Sequence, residues 1–269
     1  MRVGAHCSVS KGYPKAAEYL ISIGGNAMQI FSGNPRGWKK SPIDTKKADE
    51  FTEIRKELGI FPLIIHSPYL INLAGSGKVL EKSLDAFEEE LQRADTLSAE
   101  YFVIHPGSGG QSGVEEATER VIEGLSRVLD KSKPAVKVLL ENTAGGKSSP
   151  GKDLNNLLHM HKALKGKTGF CLDTAHAFES GYTMKELTAH PLTEEAEAVH
   201  INDSMTGKAS GHDRHAHIGE GEIGIENIRA IVNHPRLREV PFILETPKEG
   251  DMDSKNISLL KKLRDQSSR

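Results

Sequence analysis

The chain has 269 residues, with 35 Lys+Arg against 37 Asp+Glu, a formal net charge of −2, 12 His and 2 Cys. That balance excludes a basic nucleic-acid-coating protein and an acidic solvating tail, and two cysteines exclude a disulfide scaffold. An apolar fraction of 37% with 27% charged residues suits a soluble domain with a large core. No apolar run approaches a membrane span and the first twelve residues lack a signal-peptide stretch, so a reduced cytoplasmic protein is expected.

Eight short apolar runs follow in chain order. They are RVGAHC from Arg2, AMQIF from Ala27, PLIIHS from Pro62, YFVIHP from Tyr101, VKVLLENT from Val136, TGFCLDT from Thr168, AVHIND from Ala198 and PFILETP from Pro241. Continuous apolarity implies burial on both faces, hence parallel strands. Helical spacing lies between them. The segment from Lys46 has apolar residues at Phe51, Ile54 and Leu58 and ends at Gly59. The segment from Val79 repeats the pattern at Leu80, Leu84, Phe87, Leu91 and Ala94, and that from Val114 at Val121, Leu125, Val128 and Leu129. Asp153 is placed to cap a helix that stops at Gly166; further helices are expected from Gly224 and after Ser254. Eight strand–helix alternations in about 250 residues predict an α/β fold, a single (β/α)8 TIM barrel spanning residues 1–269 as one domain. A doubly wound sheet rarely needs eight evenly spaced units.

The strand ends carry the chemistry. His66, His105, Glu141, Asp173, His200 and Glu245 stand at or near the ends of strands three to eight, with His176, Asp213 and His215 in the loops that follow. Strand C-termini converge on one mouth of a barrel, and alternate residues point inward. If His66 points in, so does Ile64; likewise His105 takes Val103, Asp173 takes Cys171, and Glu245 takes Ile243. Lys137 is in phase with Glu141 and would lie at the opposite rim. Five imidazoles and four carboxylates form a ligand set for zinc, manganese or iron, too large for one ion and suited to two or three. Without metal, four crowded carboxylates would repel at high cost.

Other residues fit plainer roles. His159, His161, His190 and His234 read as surface histidines, His212 and His217 as supports behind the ligands, and His6 as a supporting donor at the mouth. Cys7 and Cys171 read as small apolar strand residues facing opposite ways, which cannot form a disulfide. GSGGQSG after strand four lacks the Lys-Ser/Thr ending of a phosphate loop.

GAHCS at Gly4, HSPYLINL at His66, HPGS at His105, LEN at Leu140, CLDTAHAFESGY at Cys171, HINDS at His200, DRHAHIGEG at Asp213 and LETP at Leu244 together resemble endonuclease IV. This is the metal-dependent type 2 apurinic/apyrimidinic endonuclease family. The resemblance runs over residues 4–247. It implies three divalent ions, zinc above all, with manganese possible. One would be held by His66, His105 and Glu141, a second by Glu141, Asp173, His200 and Glu245, and a third by His176, Asp213 and His215. It further implies that Arg36, in NPRGW, and Tyr69 and Leu70 probe the DNA stack. The sequence departs from the family's usual residues at Ala175, His212 and Pro35, none of them a ligand.

The implied activity is hydrolysis of duplex DNA 5′ to an abasic site, leaving a 3′-hydroxyl and a 5′ deoxyribose phosphate, with cleaning of blocked 3′ ends. The family suggests a monomer and no membrane partner. Metal ions activate water and absorb charge on phosphoryl oxygens, so no side-chain nucleophile is needed; Glu141, shared by two ions, is the catalytic centre. Arg214 lies between two ligands and either holds a phosphate bidentately or faces outward. The alternatives are a sugar isomerase or epimerase on a related barrel and a damage-binding protein without catalysis. His66, His105 and the Asp213–Arg214–His215 segment, which would build the extra metals, favour the nuclease.

Overall fold

All eight expected strands form in the computed structural model, which describes residues 1–146 and 148–265. The strands are β1 (Val3–His6), β2 (Ala27–Phe31), β3 (Leu63–His66), β4 (Tyr101–Ile104), β5 (Lys137–Glu141), β6 (Thr168–Asp173) and β7 (Ala196–His200), completed by β10 (Phe242–Leu244). Each pairs in parallel with its neighbour, and β10 closes the barrel between β7 and β1. β8 (Asp203–Ser204) and β9 (His215–Ala216) form a separate antiparallel ladder in the β7–β10 connection.

The interior is set by period two. Ala27, Ile64, Val103, Leu139, Cys171, Ala198 and Ile243 make a buried cluster inside the barrel, separate from the larger core between sheet and helices. Two residues further along each of those strands the chain reads Gln29, His66, His105, Glu141, Asp173, His200 and Glu245. One apolar ring thus fills the barrel, and the next ring toward the C-terminal mouth is wholly polar. The inward partners expected for His66, His105, Asp173 and Glu245 are all in that apolar ring. At the other end of β5, Lys137 is exposed and pairs with Glu197, away from the mouth as expected.

The helices are α1 (Tyr13–Ser22), α2 (Thr45–Glu57), α3 (Gly77–Thr96), α4 (Val114–Ser132), α5 (Leu154–Ala163), α6 (Thr174–Ser180), α7 (Met184–Ala189), α8 (Ile225–Val232) and α9 (Met252–Asp265). Their buried stripes face the sheet: Ala48 and Phe51 on α2, Leu84, Phe87 and Leu91 on α3, Val121, Leu125 and Val128 on α4. Asp153 caps α5 as expected, its carboxylate accepting from the Asn155 amide at 2.8 Å. Helix α9 begins two residues before Ser254. Helices α1, α6 and α7 had no place in the sequence reading. The α1 segment carries its apolar residues on Ala16, Ala17 and Leu20 behind Pro14, while α6 starts directly at the end of β6 with Asp173 as its cap. Among the described residues no helix is long and apolar enough to cross a membrane.

Candidate metal centre

Glu141, fully buried at the end of β5, is the hub of the mouth. One carboxylate oxygen lies 2.9 Å from His105 Nε2 and 3.3 Å from His66 Nε2. The other lies 2.9 Å from His200 Nδ1 and 3.2 Å from His176 Nδ1. Glu245 Oε2 reaches to 3.2 Å from His200 Nδ1, and Asp173 Oδ2 to 3.9 Å. On the outer side, Asp213 sets one oxygen 3.3 Å from His176 Nε2 and the other 3.3 Å from His215 Nε2. All nine ligand candidates from the sequence therefore stand at one mouth.

Donor atoms fall within 4.8 Å of one another in overlapping groups: His66 with His105 and Glu141; Glu141 with Asp173, His200 and Glu245; His66 with His200 and Glu245; and Asp173 with His176 and His215. The first two coincide with ligand sets implied by the resemblance. The third implied set, His176, Asp213 and His215, is the cluster around the Asp213 carboxylate.

The imidazoles are oriented by what their other nitrogens touch. His66 Nδ1 donates to the Ser67 carbonyl at 2.9 Å, His176 Nδ1 to the Asn142 carbonyl at 2.9 Å, and His215 Nδ1 to the Glu245 carbonyl at 3.3 Å. A carbonyl can only accept, so each ring carries a proton there and turns Nε2, the nitrogen left for a metal, toward the mouth. His176 Nε2 and His215 Nε2 are nevertheless buried without a hydrogen-bond partner. Buried polar atoms without good hydrogen bonds are costly, and two imidazole nitrogens converging on one carboxylate suit a divalent cation once they give up their protons. The residues present therefore fit the implied metals.

The electrostatics of the protein alone agree. Burial opposes charge on Glu141, yet the His200 and His105 imidazoles hold its carboxyl well below the usual range. Glu245 is also buried, and His200 and His66 hold it down at about 2. Burial likewise opposes charge on His66 and His176, but Glu141 beside the first and Asp173 beside the second push both upward. Protons here occupy the place that cations would take.

Sequence reasoning missed four supports. Gln29 accepts from His200 Nε2 at 2.7 Å and donates to Glu245 Oε1 at 2.6 Å. Asn142 bonds the Asp173 backbone twice, at 2.8 Å each, and Asn202 donates to Asp173 Oδ2 at 2.9 Å. Glu179 takes the Ser204 hydroxyl at 2.7 Å and the Arg214 amide at 3.1 Å, fixing the segment that carries Asp213. A glutamine inside an otherwise apolar strand was the available signal for Gln29.

Several histidine expectations need correction. His6 is at the mouth, but its Nδ1 faces the Gln29 amide at 3.1 Å and so accepts; burial pushes its pKa down to about 3, leaving it neutral. His212 is exposed, and His217 faces Asn256 at 3.2 Å, so neither supports a ligand. Of the four surface assignments only His159 is exposed; His161, His190 and His234 are half-buried, with His190 capping the turn at Pro191–Glu195.

Of the expected DNA-probing residues, Tyr69 lines the cleft at this centre. Arg36 is exposed, Tyr69 is 66% exposed with its ring edge-on to Phe31 at 5.4 Å, and Leu70 is half-buried. The Arg214 side chain is exposed, its guanidinium donating to the Asp213 carbonyl at 3.1 Å. A cleft of about 410 Å³ runs between Tyr69 and Asn72 on one side and His105, His176 and Asp213 on the other.

A ring of histidines and carboxylates able to hold metal ions, at the C-terminal mouth of a closed parallel barrel, defines the class. The family described as xylose isomerase-like TIM barrel matches residues 17–264. Within it, the chain is 40% identical to the probable endonuclease 4 of Halothermothrix orenii, over 98% of this chain and 99% of that protein. It superimposes on the crystal structure of endonuclease IV from Thermus thermophilus with a TM-score of 0.89 and 33% identity, covering 99% of this chain and 100% of that one. The chain belongs to the endonuclease IV family. A D-tagatose 3-epimerase-like protein, 20% identical with a TM-score of 0.73 over the full length of both chains, shares the fold alone.

Proposed function

We propose that the protein is a DNA-repair endonuclease that hydrolyses the phosphodiester 5′ to an abasic site in duplex DNA. The products are a 3′-hydroxyl and a 5′ deoxyribose phosphate, and removal of blocking groups from 3′ ends is the companion activity. It would act as a single-domain monomer on DNA in the cytoplasm. The observation that carries this reading is the Asp213 corner, where two buried imidazole nitrogens, neither in a well-formed hydrogen bond, converge on one carboxylate at 3.3 Å. Rearranging a sugar calls for one or two ions; a third cationic position suits a phosphodiester, whose charge rises as the bond breaks.

The ions would be three, mostly zinc with manganese possible, held by His66, His105 and Glu141; by Glu141, Asp173, His200 and Glu245; and by His176, Asp213 and His215. When bound they would supply activated water and neutralise charge on the phosphoryl oxygens. The protein's own part is positioning. Gln29 and the carbonyls of Ser67, Asn142 and Glu245 hold the imidazoles in one tautomer. Tyr69, Leu70 and Arg36 would fill the gap left in the stack, and Arg214 would take a flanking phosphate. A nucleotide without a base has no stacking or pairing to lose on extrusion, which makes the abasic sugar the least costly guest.

Elemental analysis of the purified protein tests this reading. About three divalent ions per chain are expected; one ion per chain, together with epimerisation of a ketohexose, would move the protein to the sugar-converting side of the fold.

A further inference from the structure

A buried polar cluster lies outside the metal centre, where the β2–α2 loop crosses α3. Glu90, 2% exposed, binds that loop at two points: its Oε2 accepts from the Ser32 hydroxyl at 2.6 Å, and its Oε1 pairs with the Lys40 ammonium. Arg93, one helical turn on, repeats the grip. It donates to the Ser32 hydroxyl at 3.0 Å, the Ser32 carbonyl at 2.6 Å and the Ser41 carbonyl at 2.8 Å. Two neighbouring side chains of one helix thus fasten the loop at Ser32 and at Lys40–Ser41, and Arg36 between those points is exposed. Within the free stretch the Asn34 carboxamide accepts from the Arg36 amide at 3.0 Å and shapes the turn. Trp38, the only tryptophan of the chain, shares a small cavity with Lys40, Glu90 and Leu70, so the same floor reaches the loop that carries Tyr69.

A buried Lys–Glu–Arg cluster is a poor way to gain stability, because desolvating three charges offsets most of their attraction. Its geometry is directional, however, and a fixed loop binds without the cost of being ordered first.

We infer that Glu90 and its partners Lys40 and Arg93 are positioning residues, which hold the Arg36 loop in the shape that engages abasic DNA. This rests on the proposed function. None of the hydrogen bonds and ion pairs of Glu90, Lys40 and Arg93 described above goes to a candidate metal ligand, so loosening the pair should change how DNA is held and not how the bond is cut.

The test uses the full, metal-loaded chain as Glu90→Gln and Lys40→Met, with Lys40→Arg as the conservative control. Lys40→Met leaves Glu90 its Ser32 and Arg93 contacts, and so remains informative if Glu90→Gln folds poorly. Expected are a red shift and greater quenching of Trp38 fluorescence, and a rise of about tenfold in KM for an abasic duplex. The metal content and kcat should stay near wild type, and Lys40→Arg should restore both readouts. Unchanged Trp38 emission in both variants would overturn the clamp. A shifted Trp38 with unchanged KM would also overturn the inference, because the loop would then be held for another purpose, while the proposed cleavage would stand. Absence of cleavage by the wild type would refute the proposed function instead, and the fluorescence would still decide whether the clamp exists.

Discussion

His200 Nε2 lies 2.7 Å from Gln29 Oε1, and that contact decides which nitrogen of His200 faces the mouth. The Gln29 amide nitrogen is 2.6 Å from the Glu245 carboxylate, which can only accept, so the amide oxygen must face His200. Nε2 of His200 therefore donates to Gln29, and Nδ1, the nitrogen left for a metal, turns toward Glu141 and Glu245, at 2.9 and 3.2 Å. Gln29 sets the tautomer of His200 and the rotamer of Glu245.

Replacing Gln29 with leucine should free both. Zinc affinity is expected to fall by about 10–100-fold, the usual cost of losing a partner behind a ligand. Competition with a chromophoric chelator measures it. Unchanged affinity would mean that the barrel packing alone holds His200 and Glu245.

Glu141→Gln should act on chemistry before recognition. The variant loses the charge that faces His66, His105, His176 and His200, so cleavage should fall by more than the ~100-fold cost of a supporting residue. Abasic-duplex binding should suffer less. Single-turnover cleavage beside a gel-shift titration checks this; equal loss of both would indicate collapse of the mouth.

Tyr69→Ala removes an exposed ring from the rim of the cleft without touching a ligand. Stacking of an aromatic on a base contributes about 1–3 kcal/mol, so affinity for an abasic duplex should drop by about 5- to 150-fold. Metal content should be unchanged. Equal affinity for wild type and variant would reject a wedge role for this ring.

The metal-free protein should lose stability as the solution becomes alkaline. His66 and His176 have folded pKa values above the ordinary 6.5, raised against burial by Glu141 and Asp173. Their contribution is complete below about 6.5 and is lost as pH rises through the raised folded values, exposing the carboxylates to one another. Zinc replaces those protons and binds more tightly as pH rises. The gap in Tm between zinc-loaded and metal-free protein should therefore widen steadily from pH 6 to pH 9. A gap that narrows over that range would contradict the ligand assignment.

The barrel was legible because its strands are buried on both faces and its polar residues end the inward rows. The pairing of Ile64 with His66, or Ile243 with Glu245, needs only the two-residue period of a strand. Asn142, Asn202 and Glu179 were not legible, since their roles depend on bonds between elements far apart in the chain, such as Asn202 to Asp173. The same holds for the clamp: nothing local to Glu90 indicates that Ser32 and Lys40 will arrive beside it. Helix α1 escaped notice for another reason, being short and starting at a proline beside a glycine turn. His212 and His217 were misread because proximity in sequence to Asp213 and His215 does not place their side chains on the ligands.

We propose above that this mouth cuts DNA hydrolytically on the 5′ side of a missing base. The most direct measurement incubates metal-loaded protein with a duplex bearing one abasic site, with an undamaged duplex and a chelated sample alongside, and maps the new ends. A single nick 5′ to the lesion is expected, only in the metal-loaded abasic reaction, and a polymerase should extend its 3′ end without further treatment. An intact abasic duplex, or a nick on the 3′ side whose end resists extension, would contradict it.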